Sequence, residues 1–223
     1  MNWETVADYG ALSQRAAEIL LAGIRRDPRL VLGLPTGRTP VGMYERVVAE
    51  CSHQYHCFRD VTTFNLDEYV GPAREYFHFM KRNLFDHIDI DLAHAHIPDG
   101  AAPDLEAECA RYEREIAAAG GLGLTFLGLG GNGHIAFNEP RTPFASRTRV
   151  VALSQETRAT NATASTHAIT MGIGTILESR EIVLLAGANK RAAIERLRSG
   201  EVSEAFPASA LWWHRNVHVI VSE

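Results

Sequence analysis

Two rhythms alternate along this chain. Short apolar or β-rich runs recur at LVLGLP (30–35), VTTFNL (61–66), LTFLGLG (124–130), EIVLLAG (181–187) and NVHVIV (216–221). Runs of that length predict strands, LVLGLP a buried one. Between them, apolar residues fall three and four apart in ALSQRAAEILLAGIRR (11–26), TPVGMYERVVAEC (39–51), REYFHFMKRNLF (74–85), APDLEAECARYEREIAAAG (102–120) and NKRAAIERLRSG (189–200), which read as helices. Thr39 suits an N-cap and Pro40 the first turn of its helix. HAITMGIG (167–174) fits either rhythm. Strands alternating with helices predict an α/β fold on a mostly parallel sheet. There is no repeat, low-complexity tract or linker, so one domain over 1–223 is the simplest organisation.

In such sheets ligands bind beyond the carboxyl ends of the strands. That rule singles out the stretches after Pro35, Asn65, Gly128 and Gly187. In LPTGRTP (34–40), the turn between strand and helix offers free amides and a helix dipole to an anion, with two threonine hydroxyls and the Arg38 guanidinium beside them. An ordinary capped turn would look similar, and the Lys-Ser/Thr ending of a nucleotide-hydrolysing loop is absent. In FNLDEYVG (64–71), Asp67 and Glu68 are adjacent in an extended segment and point to opposite sides. One could then face a ligand while the other anchors backbone, and a carboxylate beside a carbonyl suits proton abstraction from carbon, although such a pair taken alone is more often structural. Lys190 follows LLAGAN and could reach an anion or lie solvated.

LGLGGNGHIAFNEP (127–140) carries the letters of a dinucleotide fingerprint at Gly128, Gly130 and Gly133. That fingerprint must open a helix, and Pro140 and Pro143 forbid a long one here. The alternative is a glycine turn that delivers His134, the natural proton-transfer group near neutral pH, with Glu139 to orient it.

Composition narrows the classes. Hydrophobic residues make up 46% of the 223, charged residues 22%, and the net charge is −5. A mildly acidic chain without basic clusters argues against nucleic acid. No apolar run approaches a membrane span, and the start, MNWETVADYG, has no leader pattern. With three cysteines, a cytoplasmic setting is expected. CSHQYHC (51–57) packs Cys51, His53, His56 and Cys57 too tightly for a tetrahedral metal site, so it reads as a helix end and loop with no metal. Trp212 and Trp213 read as core or interface.

Taken in order, LPTGRTP, FNLDEYVG, YFHFMKRNLFDHIDI, GGNGHIAFNEP and SRTRVVAL closely resemble the glucosamine-6-phosphate deaminase family, from about residue 10 to the C-terminus. The resemblance implies a Rossmann-like three-layer α/β/α fold. It implies conversion of a phosphorylated amino sugar, glucosamine 6-phosphate or an epimer such as galactosamine 6-phosphate, to a ketohexose 6-phosphate and ammonia, without cofactor or metal. His134 would open the sugar ring, supported by Asn132 and Glu139, and Asp67 would move a proton between C2 and C1. Thr36, Gly37, Arg38, Thr39 and Lys190 would hold the phosphate, with Glu68 and Gly131 also beside the substrate.

Asn132 stands where some members have aspartate. The family's lid arginine is missing, Thr163 being the nearest position, and Arg38 is expected to replace it. Arg149 matches one effector position but Val151 stands where a lysine is wanted, so activation by N-acetylglucosamine 6-phosphate is not expected. The rivals are a 6-phosphogluconolactonase-like hydrolase, against which the IAFNEP string and Tyr69 speak, and a non-catalytic sugar-phosphate sensor. Assembly into a homo-oligomer is left open.

Overall fold

The computed structural model describes residues 1–52, 57–161 and 163–223. It builds β1 (Asn2–Val6), α1 (Tyr9–Arg26), β2 (Val31–Leu34), α2 (Val41–Cys51), β3 (Thr62–Asn65), β4 (Asp67–Tyr69), α3 (Glu75–Asn83), β5 (Ala95–His96), α4 (Leu105–Ala118) and β6 (Leu124–Gly128). There follow β7 (Arg149–Ala152), α5 (Gln155–Asn161), β8 (His167–Thr170), α6 (Ile173–Leu177), β9 (Glu181–Ala186), α7 (Arg191–Arg198) and β10 (Val217–Ser222). The ambiguous 167–174 stretch is both things, a strand and then the entry to a helix.

Seven strands form one parallel sheet in the order β1-β10-β9-β6-β2-β3-β5. From β2 the chain steps one way to β3 and β5, then crosses to β6 and steps the other way to β9 and β10. The switch point therefore lies between β2 and β6, where a crevice opens at the strand ends. Alternating side chains feed a core on each face. Leu32, Leu34, Val183 and Leu185 pack with Leu12, Leu20, Tyr44 and Val47 of α1 and α2. Ile182, Leu184, Val217 and Val219 pack with Tyr112 and Ile116 of α4 and Ile194 and Leu197 of α7. At roughly 2 kcal/mol for each large apolar side chain removed from water, these two layers hold the sheet between helices.

A second, smaller sheet sits at the crevice. Its order is β4-β8-β7, and both pairings are antiparallel. Sequence reading finds neither this sheet nor β1 and β5. The Thr39 cap is corrected too: α2 begins after Pro40 without a side-chain cap. The Thr39 and Arg38 carbonyls instead accept the Tyr9 hydroxyl, at 3.2 and 3.1 Å, and that hydroxyl accepts the Gly42 N–H. Trp212 and Trp213 are exposed, which removes the core reading. Trp212 spends its indole N–H on the Leu197 carbonyl, and Trp213 stands edge-on to Phe144. Cys51 and Cys57 are free thiols against the α1–α2 core, while His53 and His56 lie outside the described residues.

Candidate active site

Four neighbouring strands, β9, β6, β2 and β3, point their carboxyl ends into the crevice. The segments that follow them carry Lys190, His134, Thr36 and Asp67. Adjacent strands lie roughly 4.8 Å apart, so these four chain exits span only about 14 Å. The topology thus gathers residues that are far apart in sequence.

Asp67 is 5% exposed and begins β4. Its Oδ1 stands 3.4 Å from the Thr36 hydroxyl, which joins the acid to the turn after β2. Burial is the main force on the carboxyl and pushes its pKa up to about 8; the Glu68 charge adds to the rise and the Thr36 hydrogen bond opposes it. Glu68 points the other way and is buried. Its carboxylate accepts the backbone N–H groups of Tyr69, Tyr76 and Phe77 at 2.8, 3.0 and 2.9 Å. Two of those amides open α3, where Arg74 offers no side-chain cap, so Glu68 does the capping from β4. Both of its oxygens are spent on backbone. The hydroxyls of Tyr69 and Tyr76 meet at 2.9 Å, and Phe137 packs on both rings.

The turn after β6 is built by close contact. A Cβ on Gly130 would sit 2.3 Å from the His134 ring, so the imidazole lies directly on that glycine's backbone. Gly133 has φ +85°, and a Cβ there would strike the Phe206 ring at 2.2 Å. The Gly130 N–H donates to the His134 carbonyl and the Gly133 N–H to the Gly130 carbonyl. No helix follows, in keeping with Pro140 and Pro143.

A directed chain of hydrogen bonds then fixes the imidazole. Asn132 Oδ1 lies 2.8 Å from His134 Nδ1 and accepts the His134 backbone N–H at 3.1 Å. The Asn132 amide donates to Glu139 Oε2 at 2.7 Å. A carboxylate only accepts, so it demands the Asn132 NH2 group and leaves the oxygen facing Nδ1. Nδ1 must then carry the hydrogen, which makes Nε2 the basic nitrogen of the ring. Glu139 Oε1 stands 3.9 Å from Nδ1, close enough to supply the charge that Asn132 lacks.

Strand β8 braces the two arms. Thr170 pairs with Asp67 in the small sheet, and its hydroxyl accepts the Phe137 N–H at 3.1 Å. The Met171 N–H donates to the Leu66 carbonyl, and the Met171 carbonyl accepts the Asn138 amide. One strand therefore touches the residues beside Asp67 and those beside Glu139.

The remaining predicted residues line the opening. Gly37 (φ +93°) and Arg38 are exposed at the tip of the turn after β2, with Thr36 and Thr39 half-buried behind them. Lys190 closes the short helical turn after β9, its Nζ 3.8 Å from where a Gly131 Cβ would lie. Thr163 faces inward, its hydroxyl donating to Glu75 Oε1 at 3.2 Å. Arg149 is committed to Asn138 Oδ1 and the Thr142 hydroxyl. Sequence reading misses Thr157, Thr170 and Tyr76; only the Ser154-x-x-Thr157 spacing of a helix cap hints at the first. A pocket of about 490 Å³ between Leu177, Arg180 and Trp213 opens near the start of β9, at the opposite end of the sheet from these residues.

Residues 6–220 match the family model described as glucosamine-6-phosphate isomerases/6-phosphogluconolactonase. A glucosamine-6-phosphate deaminase of Shouchella clausii is 49% identical over all of this chain and 95% of its own length. One of Lysinibacillus sphaericus is 48% identical over 99% of this chain and 98% of its own. The solved structure of a monomeric glucosamine-6-phosphate deaminase superposes with a TM-score of 0.95 at 42% identity, covering 100% of this chain and 98% of that one. A 6-phosphogluconolactonase from Trypanosoma cruzi superposes at 0.82 with 18% identity over 99% and 94%, a likeness of fold alone.

Proposed function

The chain belongs to the glucosamine-6-phosphate isomerase/6-phosphogluconolactonase family, and from that premise we propose that it is a glucosamine-6-phosphate deaminase. The net reaction takes glucosamine 6-phosphate and water to fructose 6-phosphate and ammonia. The observation that carries this reading is the pairing, at one crevice, of a buried carboxyl beside Thr36 with an imidazole whose Nδ1 is held against the Asn132 side-chain oxygen.

The sugar first opens. His134 Nε2 accepts the proton of the anomeric hydroxyl and returns it to the ring oxygen as the C1–O bond breaks. Asp67 then removes the proton from C2, O1 takes a proton from the substrate's own C2 ammonium group to give the enolamine, and Asp67 delivers the C2 proton to C1. The resulting C2 iminium takes up water and expels ammonia, leaving the ketone. Burial suits Asp67 to this work: an acid with its pKa near 8 is a stronger base than an ordinary carboxylate and still a proton donor at neutral pH. Thr36, Gly37, Arg38, Thr39 and Lys190 hold the phosphate, Arg38 standing in for a cation that the segment around Thr163 does not supply. Glu68 serves the site from beneath, by fixing the start of α3 and raising the Asp67 pKa.

The test is release of ammonia from a panel of hexosamine 6-phosphates, with Asp67→Asn as control. Turnover of glucosamine 6-phosphate that is lost in the variant supports the proposal. Hydrolysis of 6-phosphogluconolactone with no ammonia released would replace it with the lactonase reading, and binding without turnover with the sensor reading. Because Arg149 is held internally and Val151 carries no charge, added N-acetylglucosamine 6-phosphate should leave the rate unchanged.

A further inference from the structure

The hydrogen-bond chain behind His134 does not stop at Glu139. Glu139 Oε1, the oxygen not used by Asn132, accepts the Thr157 hydroxyl at 2.7 Å. Thr157 is 9% exposed and sits in the first turn of α5. The Ser154 hydroxyl lies 2.9 Å from the Thr157 hydroxyl and accepts the Thr157 N–H at 3.0 Å. The polarity is uniform. The Ser154 hydroxyl donates to the Thr157 hydroxyl, which donates to the Glu139 carboxylate. The Asn132 amide donates to the same carboxylate, and its oxygen accepts from Nδ1.

Glu139 follows an irregular loop and has a rotatable side chain, 28% exposed. With one oxygen pinned by Thr157, the other is aimed at the Asn132 amide. Without that pin, the carboxylate can turn toward water, and the side-chain amide of Asn132 loses the partner that aims its NH2 group. Nδ1 and Nε2 then compete for the single hydrogen of the neutral ring. The chain also ties the imidazole to α5, the segment that stands where the family resemblance places a lid.

We propose that Thr157 is a positioning residue that sets the His134 tautomer through Glu139 and Asn132, so that the folding of α5 onto the site and the readiness of the imidazole are one event. The proposal rests on the ring-opening role given to His134 above. Its structural half is independent of that role, because the tautomer exists in the free enzyme.

Thr157→Val keeps the shape and removes the hydroxyl; Thr157→Ser restores it. Long-range ¹H–¹⁵N spectra of the free proteins read the His134 tautomer directly. Wild type and Thr157→Ser should show the Nδ1–H form, and Thr157→Val a mixture with Nε2–H. Ammonia release should fall about 10-fold in kcat in Thr157→Val, with KM within about twofold and recovery in Thr157→Ser. Binding of 2-amino-2-deoxyglucitol 6-phosphate, which is already open, should be unchanged. Should Thr157→Val unfold, Thr157→Ala and Ser154→Ala carry the same comparison. A pure Nδ1–H spectrum in the variants overturns the proposal, as does a loss confined to KM. Altered tautomers in a protein that releases no ammonia would retain the positioning role and sink only the proposed activity.

Discussion

Asp67 and His134 occupy one crevice and are prepared in opposite ways. The acid is prepared by exclusion: it is 5% exposed, held in a strand, and its proton affinity is raised chiefly by lost hydration. The imidazole is prepared by direction: its side chain is 33% exposed, and a chain of oriented hydrogen bonds decides which nitrogen is basic. Desolvation changes how strongly a group holds its proton, whereas a hydrogen-bond chain changes where the proton sits. The proposed reaction, which moves one proton between carbons and another between oxygens, calls for both.

Breaking the acid arm should have the largest effect. Asp67→Asn should lower kcat roughly 1,000-fold in the ammonia assay. The same variant separates catalysis from stability. A carboxyl whose folded pKa is raised destabilises the fold increasingly as pH climbs from the unfolded value through the folded one. Relative to Asp67→Asn, wild type should lose stability between about pH 4 and 8, by at most about 1.4 kcal/mol per pH unit, in urea melts.

The imidazole arm is broken next most severely by a methyl group. Gly130→Ala places a carbon where the His134 ring lies, and a ring displaced by about 1 Å should cost roughly 100-fold in kcat. Circular dichroism should show the fold intact, since the displaced ring moves toward solvent.

Glu68→Gln sharpens the contrast. It removes the charge that helps raise the Asp67 pKa and replaces an acceptor of three amides with a weaker one. Stability should fall by about 1–2 kcal/mol in urea, while the Asp67 titration moves down and the His134 tautomer stays as it is. Arg38→Ala should have the smallest effect. An exposed guanidinium at a phosphate is worth about 1 kcal/mol, so KM should rise roughly 3- to 10-fold with kcat within about twofold. An unchanged KM would remove Arg38 from phosphate binding.

The contrast between the arms also decides what was legible in the sequence. Strands β2, β3, β6, β9 and β10 announce themselves because both faces are largely buried and apolar or β-branched residues dominate them. Strand β1 mixes exposed and half-buried residues, and β4 and β5 have three and two residues, too few to show a rhythm. Asn132, His134 and Glu139 lie within one turn of chain, so their partnership could be read locally. The tie to Thr157 spans 18 residues and depends on how the loop returns. The bracing of Asp67 by Thr170 depends on an antiparallel pairing between distant segments that no local pattern encodes. The exposed Trp212 and Trp213 show the limit of composition as a guide: large aromatic side chains favour burial on average, and these two find only partial cover.

The central claim, that burial prepares Asp67 for proton transfer, is tested most directly by following the ¹³Cγ resonance of Asp67 in the free wild-type protein from pH 3 to 10. A titration centred near pH 8 is the predicted result. A midpoint near 4, where an ordinary hydrated carboxylate titrates, would contradict it.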